Sequence, residues 1–386
     1  MKDCDKKYRE IFEWIQFVLN SDKVIPAVSD WEALFQFAEK QKITGVCSPL
    51  DYNVQIGIDL ISLWMGSVIQ IKQQNALVSK RAIEVCDIWK NAGFRCCLLK
   101  GQGNAEMYPD PSVRMPGDVD LWIDAEEKAV RDFVTMQFPD AKDCYKHIKF
   151  PVFDDVEVDV HQTPLKFRRP LHRKRLQRWI KLHQEEQFLN KTQLRGTEGY
   201  ISVPTAKFNA IYQLGHIMIH LFDEGIGFRH LIDYYYVLRN LSNVSQGERE
   251  EIVRTWKKLG LLRLASAVTW IESEKLGLSE NCLLTSPNRR LGTILLSDVI
   301  EGGNFGHYSI RQQYRRRGKR LARRFSSLMR LLKLSPCFPT EAVYWIMGRC
   351  VALIKHDFGY LKGKLSFLTS LNNFSLFSST HKRLAF

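Results

Sequence analysis

The chain has 386 residues, of which 45% are hydrophobic and 25% are charged. This composition is typical of a globular protein with a sizeable core, which excludes a disordered chain, and the length predicts two or three domains. The 56 lysines and arginines exceed the 42 acidic residues and give a net charge of +14. Such a surplus favours polyanionic partners, namely nucleic acid, nucleoside triphosphates or an anionic membrane surface.

The predicted elements form three regions. Apolar residues at helical spacing predict helices in residues 1–78, and a long helix from about Leu60 to Asn91 leads into residues 79–203. There, short apolar or alternating runs predict strands and one helix, and after Pro204 the pattern is helical to residue 386. The predicted strands are Phe94–Leu99, Val119–Ile123, Ile148–Phe153 and Val156–Val160, and the helix is Ala125–Met136. We therefore expect an α+β fold, with a small mixed α/β sheet flanked by N-terminal and C-terminal helical regions.

The cysteines and the chain ends favour a cytoplasmic protein. The nine cysteines include no C-x-x-C spacing, and several lie in apolar runs, so we expect reduced, buried thiols. The segment Met1–Lys7 lacks the apolar core of a signal peptide. The apolar stretch Ala342–Ile354 is interrupted by Arg349 and is too short to span a bilayer. We expect no integral membrane segment.

Asp118 immediately precedes the second predicted strand, and Asp120 lies within it. Residues i and i+2 of a strand project to the same face, so the two carboxylates lie side by side. They repel each other unless a cation lies between them, which makes the pair a candidate Mg²⁺ site. The alternative is an ordinary strand that alternates core and solvent residues. In nucleotidyl transfer, two metal ions about 3.5–4 Å apart stabilise the attacking and leaving oxygens.

A later strand offers the third carboxylate that a two-metal site needs. In Val156–His161 the valines face one way, while Glu157, Asp159 and His161 face the other. If this strand lies beside the Asp118 strand, either Asp159 or Glu157 can reach the metal ions.

These motifs resemble those of a family of uncharacterised bacterial nucleotidyltransferases, a branch of the polymerase-β-like superfamily, whose pattern is LKG…YP.P..R..GDIDL. The segment Val158–His161 is similar to the later "DLH" strand of the family, and Gly225–Asp233 matches its helical glycine–arginine–aspartate motif. The main pattern is carried by Leu98–Gly101, Tyr108–Pro111, Arg114 and Gly117–Leu121.

The resemblance implies a nucleotidyltransferase core, with Asp118, Asp120 and Asp159 as catalytic ligands of Mg²⁺. It also implies that the Gly101 turn holds the triphosphate against backbone amides. One departure is that Gln102 and Gly103 follow this glycine, and that the aspartates lie further along the chain than is usual in the superfamily. The remaining nucleotide-binding candidates are Lys100, Arg114 and Gly117, of which Lys100 and Arg114 can neutralise phosphate charge.

Further polar residues are candidate substrate contacts, namely His161, His220, Arg229 and Asp233. His216 and His220 share a helix face, which we expect to pack against the α/β core, with His220 near the substrate cleft, rather than to bind a metal ion. Arg229 and Asp233 are also four residues apart, so an ion pair within the helix is the alternative to substrate contact.

Two basic stretches contain no acidic residue. Arg168–Lys181 can bind phosphates or form a solvated face. Arg311–Lys333 has apolar residues at helical spacing and predicts an amphipathic helix. That helix can contact RNA, an anionic membrane or an acidic part of this protein, or simply pack on its apolar side.

The sequence favours an enzyme that moves a nucleoside monophosphate from a triphosphate to an unidentified acceptor, which could be a small molecule, a protein or RNA. It uses Mg²⁺, with two ions expected. The alternative is a non-catalytic nucleotide- or RNA-binding module built on the same fold.

Overall fold

A computed structural model describes residues 8–20, 24–143 and 147–348. Three helices precede the sheet, as predicted, and they are Arg9–Leu19 (α1), Trp31–Gln41 (α2) and Ile58–Asn91 (α3). The carboxylate of Asp30 caps α2 by accepting a hydrogen bond from the Ala33 amide at 2.9 Å. Beyond α3 the chain turns at Gly93, whose φ of 83° favours glycine.

A mixed four-stranded sheet follows, in the order β1–β2–β4–β3. Its strands are Cys96–Leu98 (β1), Val119–Ile123 (β2), Ile148–Lys149 (β3) and Val158–His161 (β4). β2 is parallel to β4 and antiparallel to β1, while β3 is antiparallel to β4. The predicted strands are all present, although β1, β3 and β4 are shorter than expected. The connections contain the short helix Gln102–Ala105 (α4) and the helix Glu127–Gln137 (α5).

Helices dominate the described residues after the sheet, which confirms the predicted α+β class. They are Pro170–Leu189 (α6), Ala206–Asp223 (α7), Phe228–Asn240 (α8), Gln246–Leu259 (α9), Leu262–Glu274 (α10), Arg289–Gly302 (α11), Ile310–Arg316 (α12) and Arg320–Leu334 (α13). A small hairpin of Lys191–Gln193 (β5) and Tyr200–Ser202 (β6) follows α6. The sequence pattern did not predict this hairpin, because its strands are too short for a recognisable alternation. Residues 339–348 are also helical.

Both faces of the sheet are covered, which determines where the predicted site lies. Leu121 packs in one apolar cluster with the second half of α3 and with α5. Trp122 projects to the opposite face, where its ring lies 4.9 Å from that of Phe188 and 5.8 Å from that of Phe208. Asp120 shares this second face by the two-residue period of the strand. The carboxylates therefore lie on the side of the sheet that α6 and α7 cover.

The first helices and the later helices share one core. The Phe228 ring of α8 lies 5.8 Å from the ring of Phe12 and 5.4 Å from that of Phe37. These residues belong to one cluster with the side chains of α7 to α11. The boundaries proposed from the sequence for the three regions stay a prediction.

The two basic stretches, Arg168–Lys181 and Arg311–Lys333, differ in how much they contact the rest of the chain. In the first, the His172 ring lies 2.7 Å from the buried Glu341 carboxylate, and the Arg168 guanidinium lies 4.0 Å from the Trp345 ring centroid. In the second, the single helix predicted over Arg311–Lys333 is two helices, α12 and α13, because the chain turns at Gly318, whose φ is 67°. The predicted apolar stripe, which includes Leu321 and Phe325, is not covered by the described residues, whereas Leu331 and Leu334 on another side of α13 are buried.

The described cysteines are free thiols, as predicted, and they are Cys47, Cys86, Cys96, Cys97, Cys282 and Cys337. Burial raises the pKa of the Cys97 thiol well above its ordinary value. Three further cysteines lie outside the described residues, namely Cys4, Cys144 and Cys350. The segment Met1–Lys7 and the end of the stretch Ala342–Ile354 also lie outside them. Among the residues described, no helix is both long and apolar enough to cross a membrane.

Candidate active site

Three carboxylates converge on the face of the sheet that α6 and α7 cover. Asp118 immediately precedes β2, Asp120 lies within it, and the parallel register places Asp120 opposite Asp159 of β4. Each carboxylate offers an oxygen, and these oxygens all lie within 4.8 Å of one another. Asp120 and Asp159 are buried, whereas Asp118 is half-buried. The expected proximity of the two acidic strands is therefore confirmed.

Positive or ionisable side chains surround Asp120. The Lys100 ammonium lies 2.8 Å from its Oδ2 and 3.9 Å from Oδ1 of Asp118. Nε2 of His161 lies 2.8 Å from the other oxygen of Asp120. Burial opposes ionisation of this carboxyl, but Lys100 and His161 outweigh that effect and hold its pKa well below the ordinary value. Asp120 is thus an ionised buried carboxylate.

Asp159 has a different environment. Burial and the charge of Asp120 raise its pKa, against the opposing effect of Lys149, whose ammonium lies 2.8 Å from Oδ1. Nε2 of His147 lies 3.3 Å from Oδ2. The other candidate for the third carboxylate, Glu157, is 76% exposed and pairs with Lys149 instead.

The sequence did not identify Lys149 and His147 as neighbours of the site. Lys149 faces Asp159 through the β3–β4 register, and His147 directly precedes β3. A predicted strand at Ile148 was the available signal, but it did not specify the register.

The Gly101 turn lies against the aspartate strand. Its φ of 65° is in the left-handed region, and a Cβ there would lie 3.5 Å from the Asp118 carbonyl oxygen. The Leu99 amide also donates a hydrogen bond to the Asp120 carbonyl at 3.0 Å. Gln102 is one of the residues at which this turn differs from the superfamily pattern. It is buried, and its side chain donates a hydrogen bond to the Ser79 hydroxyl at 2.8 Å. The turn is thereby anchored on α3.

Arg114 and Asp233 form a buried ion pair. The Nε and Nη2 atoms of Arg114 donate to the two oxygens of Asp233 at 2.7 and 2.8 Å, and the Tyr108 hydroxyl donates to Oδ1 at 2.6 Å. Asp233 is thus bound by Arg114 rather than by Arg229, so the ion pair anticipated inside α8 is replaced by one between α8 and the loop before β2. The Arg114 guanidinium is satisfied without a phosphate.

Arg229 lies at the mouth of the site instead. Its Nη1 donates to the Pro116 carbonyl at 3.2 Å and would lie only 3.3 Å from a Cβ at Gly117. Glycine at that position therefore lets the guanidinium approach the backbone next to Asp118. A pocket of about 400 Å³ opens here, and its walls include Asp118, Arg229 and Phe305.

His220 lies in a cluster of rings beside this pocket. Its Nε2 lies 3.0 Å from Nε2 of His216, and its ring centroid lies 5.7 Å from that of His230 and 5.3 Å from that of Phe305. Of these rings, that of His230 belongs to α8 and that of Phe305 to the segment before α12. Among the described residues, the candidate metal site contains only carboxylates.

A family model described as uncharacterised nucleotidyltransferase matches residues 27–277, which is more than half of the chain. The chain belongs to this family. The comparison with curated proteins gives no match. Among solved structures, the chain is similar to an antigenic nucleotidyltransferase-like protein from Paracoccidioides brasiliensis, with 12% identity over 48% of this chain and 89% of that chain and a TM-score of 0.28. The family assignment rests on the sequence match, and this likeness adds nothing to it.

Within this nucleotidyltransferase family member, the matched region contains Lys100, the three carboxylates and the α8 motif. Phe305 lies beyond that region, although its ring contributes to the same pocket.

Proposed function

We propose that the chain is a Mg²⁺-dependent nucleotidyltransferase that moves a nucleoside monophosphate from a triphosphate to an acceptor. The observation that supports this most is the convergence of Asp118, Asp120 and Asp159 within 4.8 Å. Buried like charges this close are unfavourable unless cations neutralise them. Carboxylate oxygens are also the ligands that Mg²⁺ prefers. The donor set therefore fits the cation.

In this proposal Asp118 and Asp120 would hold two Mg²⁺ ions, and Asp159 would help to hold the ion that serves the acceptor. Bound Mg²⁺ supplies neutralisation of the charge that develops on the attacking and leaving oxygens. His161 orients Asp120 through its 2.8 Å contact. Lys100 neutralises the negative charge of Asp118 and Asp120. With Mg²⁺ bound, its ammonium would be available to the phosphate oxygens instead.

The other candidates divide into two groups. Gly101 and Gly117 shape the backbone beside the phosphates, and Arg229 contacts the substrate from the pocket wall. We assign Arg114 and Asp233 a positioning role, because their buried ion pair holds the loop that leads to Asp118. His220 lies near the cleft, because its ring contacts that of Phe305.

The proposed reaction is a single displacement. An acceptor hydroxyl oxygen forms a bond to the α-phosphorus, and the bond from that phosphorus to the bridging oxygen of pyrophosphate breaks. The acceptor proton passes to Asp159, and pyrophosphate leaves with the electron pair of the broken bond.

The test compares nucleoside triphosphates labelled at the α- or the γ-phosphate in the presence of Mg²⁺. We expect the α-label to appear on an acceptor and the γ-label to be released as pyrophosphate. Asp118→Ala and Asp120→Ala should each reduce transfer by about 10³-fold, because loss of a metal ligand removes several kcal/mol of charge stabilisation.

Asp132→Ala is the matched control, since it removes an exposed carboxylate on α5. It should leave transfer unchanged. Metal-dependent transfer that survives both site substitutions would rule out the proposed mechanism.

The second candidate is a module that binds nucleotide or RNA without turnover. The observation in its favour is that Lys100 and Lys149 already neutralise Asp120 and Asp159, each at 2.8 Å. Tight nucleotide binding with no transfer to any acceptor tested would support this candidate over the enzyme.

A further inference from the structure

We propose that Phe305 and Arg229 together form the nucleobase-binding part of this site, with the base stacked on the Phe305 ring. This inference rests on the proposed nucleotide substrate and adds the residue that contacts its base. Phe305 lies outside the region matched by the family model, so that match does not assign it a role.

The backbone of Phe305 is the first observation. Its φ of 51° and ψ of 24° place a bulky residue in the left-handed region. Few non-glycine residues adopt this conformation, and those that do cluster at ligand-binding and active sites. In the described chain the other non-glycine residue with positive φ is Lys42, at the C-terminal end of α2, where a left-handed cap is common.

The neighbouring glycines show what holds Phe305 in place. A Cβ at Gly306 would lie 2.2 Å from the Glu224 carbonyl oxygen, and one at Gly303 would lie 2.9 Å from Cγ of Lys40. From the other side, a Cβ at Gly227 would lie 2.8 Å from Cα of Asn304. The segment is therefore wedged between α2 and the α7–α8 turn. The surrounding contacts fix the backbone on both sides of the phenylalanine.

The ring of Phe305 occupies a wall of the pocket that contains Asp118. The Arg229 guanidinium carbon lies 5.6 Å from its centroid, and the rings of His230 and His220 lie 5.1 and 5.3 Å from it. The two histidines pack against the phenylalanine without lining the pocket. The ring is thus supported by protein on one side and borders the pocket beside Asp118.

A nucleobase fits this chemistry better than a phosphate does. An aromatic ring beside a guanidinium favours a flat, polarisable partner, and stacking on such a platform accepts any base. The walls of the same pocket also include Asp155 and Glu157, whose carboxylates pair with Arg81 and Lys149. Its volume of about 400 Å³ lies within the usual range for small-molecule sites.

The test measures Mg²⁺-dependent binding of a non-hydrolysable nucleoside triphosphate and of inorganic tripolyphosphate by calorimetry. Phe305→Ala should weaken nucleotide binding about tenfold or more, since it removes the stacking surface. It should leave tripolyphosphate binding unchanged. Phe305→Tyr keeps the aromatic face and should retain nucleotide affinity.

Phe305→Gly provides a second variant that does not depend on backbone strain. Glycine adopts the left-handed conformation freely, so this variant loses the ring while its backbone is relaxed. It should bind nucleotide as weakly as the alanine variant and tripolyphosphate as well as the wild type.

Unchanged nucleotide affinity in both truncated variants would overturn the assignment of Phe305, and so would an equal loss for both ligands. These results leave the proposed transferase intact. A wild type that binds neither ligand overturns both proposals. If the wild type binds nucleotide through Phe305 but transfers nothing, the proposed catalysis is contradicted and the assignment of Phe305 stands.

Discussion

Asp120 illustrates how a buried charge is accommodated at the level of one residue. An isolated carboxylate in the protein interior is strongly disfavoured, so it needs ion pairs and hydrogen bonds. Lys100 and His161 each approach one of its oxygens to 2.8 Å. A buried carboxylate that is kept ionised in this way is available to a cation.

Glu272 on α10 is a buried carboxyl without such compensation. It is fully buried, and neither carboxyl oxygen has a hydrogen-bond partner among the described residues. Burial raises its pKa well above the ordinary value of 4.5. The folded chain therefore binds this proton more tightly than the unfolded chain does, so stability falls as pH rises above the unfolded pKa until the folded pKa is reached.

Glu272→Gln should remove this penalty. Below about pH 4.5 the free energy of unfolding should differ little from that of the wild type. Above that pH the variant should gain about 1.4 kcal/mol of relative stability per pH unit until the folded pKa is reached. Urea unfolding near pH 4, 6 and 8 measures this difference. Glu274→Gln is the matched control, because Glu274 is exposed on the same helix. A pH-independent difference would contradict the account.

The sequence predicted part of the site at this scale. The two-residue period of a strand was enough to place Asp118 and Asp120 on one face, and the acidic residues of the later strand supplied Asp159. Lys149 and His147 could not be predicted, because their positions depend on the register between β3 and β4.

At the scale of elements, the loop before β2 is held from two sides. The Asn75 side chain on α3 donates to the carbonyls of Ser112 at 2.7 Å and Arg114 at 2.6 Å. The Arg114 side chain pairs with Asp233 on α8. The loop that leads to Asp118 is thus fixed between two helices that are distant in sequence.

Replacing one partner of the Arg114–Asp233 ion pair should destabilise the folded protein. Arg114→Met or Asp233→Leu alone should lower the free energy of unfolding by about 3–5 kcal/mol, because each leaves an uncompensated buried charge. The double variant should recover much of this loss, since no charge remains unpaired. Urea unfolding of all four proteins gives the coupling energy, and additive losses would contradict a buried ion pair.

Helical periodicity predicted the long helices and the α7–α8 region well, because their apolar faces repeat over several turns. The Arg229–Asp233 spacing allowed an ion pair within α8, but Arg114 takes that place from another part of the chain. Local spacing contains no information about such a competitor.

At the scale of the molecule, the sheet lies between two apolar clusters, and the first and last helices share one of them. The α+β class was predictable from the order of patterns along the chain. The joint core of Phe12, Phe37 and Phe228 was not, because it brings together residues about 200 positions apart. The carboxylate face of the sheet is covered by α6 and α7, and a pocket opens beside Asp118.

The central claim is that Asp118, Asp120 and Asp159 form a divalent-cation site. Titration with Mn²⁺, followed by electron paramagnetic resonance of the free ion, tests it most directly. We predict saturable Mn²⁺ binding by the wild type, competition by Mg²⁺, and at least about tenfold weaker binding by the Asp118→Asn/Asp120→Asn double variant. An exposed-carboxylate control, Asp132→Asn, should bind as the wild type does. Equal Mn²⁺ binding by the wild type and the double variant would contradict the account.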